Sequence, residues 1–137
     1  MIEAVKIRTA LACDDIRIEE NGKLIVIGLI NPILELNDEQ ASSRRSALRL
    51  NFLLSIDVKK KGNHELAFRL HGLKTPHGQS VKLEVDFSEA AKNIPFPIGP
   101  LILPLMEDER GFELQQHLGD RWRTIATWRF SESYKAK

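Results

Sequence analysis

Cysteine appears once in the 137 residues, as Cys13, so no internal disulfide can form and the chain suits a reducing compartment. An excess of one charge is missing as well. Lys and Arg number 20 and Asp and Glu 19, a formal net charge of +1. That balance argues against a dedicated nucleic-acid or polyanion binder, which carries a large basic excess. The longest apolar run, Leu24 to Ile30, is far shorter than the roughly 20 residues of a membrane-spanning helix. The opening Met1–Lys6 has no basic start followed by an apolar stretch, as a secretory signal would. The expectation is a cytoplasmic protein without a membrane anchor. Glycines stand singly at turns, so no phosphate-cradling loop is present.

What is there is alternation with a period of two, the mark of strands with one buried face. From Ser46 to Val58, Leu48, Leu50, Phe52, Leu54, Ile56 and Val58 share one face, with Arg49, Asn51, Ser55 and Asp57 on the other. A helix would scatter those six apolar side chains around its circumference. Leu66, Phe68 and Leu70 repeat the pattern, as do Val81, Leu83, Val85 and Phe87. Turn residues separate them, Lys59 to Asn63 first and then Thr75-Pro76-His77-Gly78.

Asn21-Gly22 suits a two-residue hairpin turn that pairs Ile18 with Ile25 and Ile16 with Ile27, four isoleucines on one face. Before it a strand runs from about Val5 to Ala12, with Val5, Ile7, Thr9 and Leu11 in phase. Leu24–Ile27 is apolar on both faces and reads as a central or covered strand. Near the C-terminus a three-residue loop, Gly119-Asp120-Arg121, would pair Leu118 with Trp122 and Phe112 with Trp128. It is preferred to a two-residue turn because it buries both tryptophans.

Two stretches break the rhythm. Asn37 to Arg45 is polar and reads as a loop, and Ser88 to Asn93 reads as one helical turn capped by Ser88. Pro95, Pro97, Pro100 and Pro104 then interrupt an apolar segment, which must be an edge or crossover piece. Eight or nine short strands and no long helix predict one all-β domain over residues 1–137. The expected architecture is a two-sheet antiparallel β-sandwich, immunoglobulin-like or C2-like.

The run Cys13-Asp14-Asp15-Ile16-Arg17-Ile18-Glu19-Glu20-Asn21-Gly22-Lys23, continuing to Gly28, resembles the opening of a bacterial family of domains of unknown function. That family shows a Cys-Asp-Asp-x-Arg-x-Glu-x-x-Gly-Lys type of start, then strands and a mid-chain turn for which Thr75–Gly78 stands here. The resemblance implies a compact β domain of bacterial or phage origin and brings no activity with it.

Few residues suggest chemistry. Asp14 and Asp15, with Asp120, offer oxygen ligands for Ca²⁺ at one end of the sandwich if the strands form a simple meander. Capping of turns by their own carboxylates explains the first two as well. His64, His71, His77 and His117 show no zinc-ligand spacing and read as surface side chains. Cys13 beside two carboxylates would have its thiol pKa raised, the wrong direction for a nucleophile. Arg121, Arg123 and Arg129 flank Trp122 and Trp128, but alternation sets arginines and tryptophans on different faces, against base stacking.

The segment from Ile94 to Met106 either covers the core or offers an apolar edge to a partner. Ile94, Phe96, Ile98, Leu101 and Leu103 are its candidate contact residues. The resulting expectation is a non-catalytic module for protein–protein contact, including homo-oligomers, with no cofactor and no nucleic-acid partner. The alternative is a small-ligand or Ca²⁺-binding sandwich around Asp14, Asp15 and Asp120.

Overall fold

The alternating segment after Ser46 forms the strand its pattern demands. Its even-numbered apolar residues from Leu48 to Val58 are all buried. The protein is described by a computed structural model over residues 3–34, 47–74 and 78–133. Within those residues the strands are β1 (Val5–Ile18), β2 (Leu24–Ile30), β3 (Ile33–Leu34), β4 (Ala47–Val58), β5 (Gly62–Gly72), β6 (Ser80–Phe87), β7 (Ala91–Pro104), β8 (Gly111–Leu118) and β9 (Arg121–Phe130). No helix occurs among the described residues. The polar stretch Asn37–Arg45 and Thr75 to His77 of the mid-chain turn lie outside them.

The strands make a two-sheet β-sandwich. One sheet has the antiparallel order β2-β1-β4-β7. The other has antiparallel β9-β8-β5-β6, with the two-residue β3 added in parallel beside β9. The chain changes sheet repeatedly, so this is no simple meander. Between the layers, Phe52 of the first sheet meets Trp128 of the second at 5.5 Å between ring centroids. Trp128 stacks on Phe112 at 5.3 Å, and Phe112 tilts against Phe130. Leu50, Leu54, Ile56, Leu70, Leu103 and Leu114 fill the space around this cluster.

Three local irregularities change which side chains reach the core. In β1 the register against β4 shifts between Ile7 and Thr9. Val5 and Ile7 point inward, but after the bulge Ala12 takes the buried place and Thr9 and Leu11 turn outward, out of the single phase expected. Bulges do this because one extra residue on one strand reverses its alternation.

The first hairpin closes one residue away from the expected register. Gly22 alone takes positive φ, at 81°. The Glu19 carbonyl accepts from the Gly22 N–H, and Glu19 donates to the Lys23 carbonyl. This three-residue loop pairs Ile18 with Leu24 and Ile16 with Val26. Ile25 and Ile27 therefore face the opposite way, and the four isoleucines do not share a face. β1 also runs straight through Cys13–Asp15 as strand, where a loop was expected.

The last hairpin combines features of both turns weighed above. Leu118 pairs with Arg121 across a two-residue Gly119-Asp120 turn, with Gly119 at φ 62°. A bulge between Leu114 and Gln115 then absorbs Ile125, so that Phe112 still meets Trp128. The two tryptophans part: Trp128 is buried between the sheets, whereas Trp122 pairs with His117 on the outer face. Burial of both rings does not occur.

Ser88–Asn93 is not a helical turn, because Ala91 already pairs with Val58 and β7 runs on as an edge strand. The sheet position of β7 suits its prolines, which can lie in a paired strand only where the missing donor faces away from the neighbour.

Replacing Trp128 by Ala should cost about 3–5 kcal/mol in urea unfolding, the range for a large core aromatic. Trp122→Ala, which loses only an outer-face contact, should cost about 1–2 kcal/mol. Equal losses would show that the bulge does not separate the rings.

Candidate interaction surface

The residues expected to meet a partner are turned the other way. Ile98, Leu101 and Leu103 are buried in the core, with Ile94 and Phe96 packed against it. Alternation along β7 leaves Pro95, Pro97, Ile102 and Pro104 on the outside instead, and it is core cover that this segment provides. Its free edge is also poor in donors, because Pro95 and Pro97 sit two apart. Further along, Gln79 occupies it: the Gln79 N–H donates to the Ile102 carbonyl, and its Oε1 accepts from the Ile102 N–H.

The three aspartates do not assemble. Asp120 lies in the turn before β9, at the sandwich end where β1 begins and where Glu3 meets Arg123. Asp14 stands nine residues along the extended β1 from Val5, roughly 30 Å at the usual strand rise. Among the described residues no group of three or more His, Cys, Asp or Glu is placed to hold a metal ion. His64 has a ring nitrogen 2.6 Å from the Lys60 carbonyl, and His117 packs on Trp122 at 4.8 Å. His71 lies on β5, and His77 falls outside the described residues.

The Cys-Asp-Asp opening turns out to be hairpin carpentry. Cys13 is buried with Sγ directed at the Asn51 carbonyl, and Asn51 Nδ2 donates to the Asp14 carbonyl. The Asp14 side chain occupies the space over Gly28, where an added Cβ would clash with it; Gly28 also has φ 69°. Asp15 accepts from the Ile16 N–H and lies 3.6 Å from Arg17. Asn21 accepts from the Lys23 N–H. Cys13, Asp14, Asn21 and Gly28 thus each meet a backbone or packing demand of β1, its hairpin or the neighbouring β4.

Burial raises the Cys13 thiol pKa, and the charges of Asp14 and Asp15 push it the same way. A thiolate nucleophile is disfavoured on both counts. Alkylating reagents at neutral pH should leave Cys13 unmodified in the folded protein and modify it fully in denaturant, as mass spectrometry would read. Rapid native labelling would contradict its burial.

Trp122 carries the one tryptophan surface that faces outward, and its neighbours already use it. The Arg69 guanidinium lies 4.3 Å from the ring centroid, while Arg69 Nε donates to Gln115 Oε1 and Gln115 donates to Glu113. Arg123, one of the arginines considered for base stacking, is engaged by Glu3 and by Gln116.

Two further acidic residues are structural. Glu109, fully buried, accepts from the N–H groups of Lys74, Arg110 and Gly111, tying the end of β5 to the β7–β8 loop. Asp57 accepts from the Asn93 N–H and from Arg8, and these contacts hold its carboxyl below the usual range, the Asn93 bond foremost. A carboxylate with a depressed folded-state pKa contributes stability above its unfolded value, near 3.9, and loses it as pH falls through the folded value. Melting temperature should therefore drop more steeply below about pH 4 in the wild type than in Asp57→Asn. Parallel curves would deny Asp57 that part.

The surface that remains is apolar and lies on the β2 side of the first sheet. Ile25 is 43% exposed, Ile27 38%, Leu29 57% and Leu11 45%. Register sets Leu29 opposite Cys13, Ile27 opposite Asp15 and Ile25 opposite Arg17. A row of three large apolar side chains therefore runs along an edge strand, bordered by one acid and one base. The run Leu24–Ile27 read as central or covered because both its faces are apolar; among the described residues β2 has a single neighbour.

A scan of protein-family models finds no match for this chain, and a search of curated proteins finds none either. No helix of the described residues is long and apolar enough to cross a membrane.

Proposed function

We propose that the protein is a non-catalytic β-sandwich module that acts by protein–protein assembly, docking through β2 and the adjoining outer face of the first sheet. The observation that carries this reading is the exposed row Ile25, Ile27 and Leu29 on a strand whose outer edge has no partner among the described residues. Large side chains in such a row lose water-exposed apolar area on docking, at roughly 25 cal/mol per Å². The Cys-Asp-Asp hairpin serves here as the frame that holds this strand out. The polar groups with chemical potential support it too, since Cys13, Asp57 and Glu109 are each engaged in holding backbone or burying a strand.

A second reading has one observation in its favour. A cleft of about 590 Å³ at the far end of the sandwich is lined by Glu3, His64, Glu65, Gln116, His117 and Arg121, among others. Its volume lies in the range of small-ligand sites. A ligand held there would raise the melting temperature, as any ligand specific to the folded state must.

The assembly reading is tested by affinity purification from the native source with wild type and with Ile25→Asp/Leu29→Asp. A partner retained by the wild type and lost by the variant, with melting temperatures alike, is the expected result. Equal retention by both, or none by either, would end this reading.

A further inference from the structure

We infer that the occupant of the β2 edge is a second copy of this chain, joined by antiparallel β2–β2 pairing about a two-fold axis through Ile27. This deepens the assembly reading and rests on it.

The described residues form two open sheets with four edge strands, and two of these are guarded. β7 has prolines and Gln79 along its free side. β6 presents Lys82, Glu84 and Asp86 at alternate positions, with Lys82 paired to Glu65. β3 is described over Ile33–Leu34 alone. Prolines and charges are among the usual means by which sheet edges avoid pairing. β2 has none of them: seven residues, Leu24–Ile30, with no charge and no proline. Its unpaired N–H and C=O groups form a template for another strand.

The strand matches itself. When two copies run antiparallel with Ile27 facing Ile27, Ile25 of each faces Leu29 of the other, and Leu24 faces Ile30. Directly opposed residues in a sheet share a face, so the three exposed apolar side chains of each copy form one six-membered patch. Lys23 then meets Asn31 of the second copy, and no like charges are set opposite each other within β2. Asp15 and Arg17, on β1 beside Ile27 and Ile25, form the polar rim of an apolar centre, the usual layout of an interface. A closed two-fold contact of this kind uses both edges and leaves none for a third copy. The product is one continuous eight-stranded sheet, β7-β4-β1-β2-β2-β1-β4-β7. It also gives β2 the second neighbour that its two apolar faces imply.

Strand pairing alone covers less than the roughly 800 Å² per partner of a standard interface. Dimer formation is therefore expected to depend on concentration. Sedimentation velocity should show the mass double between about 1 and about 200 µM, an affinity range fitting a small interface. Ile27→Lys, which sets two lysines face to face on the axis at an exposed position, should stay monomeric over that range with an unchanged melting temperature. The register has its own test. Under mild oxidation Ile27→Cys should cross-link to a disulfide dimer, while Ile25→Cys and Leu29→Cys, far from their own copies, should not.

A wild type monomeric throughout, an Ile27→Lys variant that dimerises like the wild type, or equal cross-linking at all three positions would each overturn the inference. Should the wild type be monomeric and yet lose a captured partner in Ile25→Asp/Leu29→Asp, self-pairing falls and the assembly reading stands.

Discussion

Between the two sheets, Phe52 reaches across from β4 to Trp128 on β9, and Trp128 stacks on Phe112 of β8. These contacts require the inward faces of three strands to be in phase at the same height. Everything else in the structure is arranged around that requirement. The bulge in β9 brings Trp128 into phase with Phe112, the bulge in β1 lets Ala12 lie over Phe52, and β7 lines Ile98, Leu101 and Leu103 along the same layer. Dense interiors tolerate no empty place, so where regular alternation fails to deliver a side chain the strand yields instead.

That order of priorities accounts for where several polar residues stand. Asp57, Glu109, Asn51 and Asp14 each hold backbone at a point where alternation is interrupted or a loop must be closed. A buried carboxylate that accepts two or three N–H bonds is a structural fastener, because those bonds offset the cost of burying its charge and meet donors that would otherwise go unsatisfied. What these groups leave unfastened is apolar and on the outside, along β2. The proposed association would remove this apolar area from water without requiring a reactive group.

Much of the strand pattern was legible in the sequence. The six apolar positions from Leu48 to Val58, and Leu66, Phe68 and Leu70, all lie where their spacing put them, since each strand there is regular and has one wet face. Three misreadings share one cause. Thr9 and Leu11, the isoleucines of the first hairpin and Trp122 were each placed by extending an alternation across a point where the strand bulges or the turn gains a residue. One residue of slip sends every later side chain to the other face. The prolines of the Ile94–Met106 segment mark it as an edge or crossover piece and leave core cover and partner contact both open for its apolar residues; the structure gives Ile98, Leu101 and Leu103 to the core. The exposed row on β2 was missed for a related reason: a strand apolar on both faces looks central, and only the sheet order reveals that it is not.

By itself, then, the sequence determined the class of fold. Period-two apolar spacing admits only strands, and turn residues between them admit only a short-looped β architecture. Tertiary structure decided strand order, the bulges, which tryptophan is buried, and which edge stands open. Those depend on packing between segments far apart in the chain, and one-residue differences in register cost little locally while reversing what the surface presents.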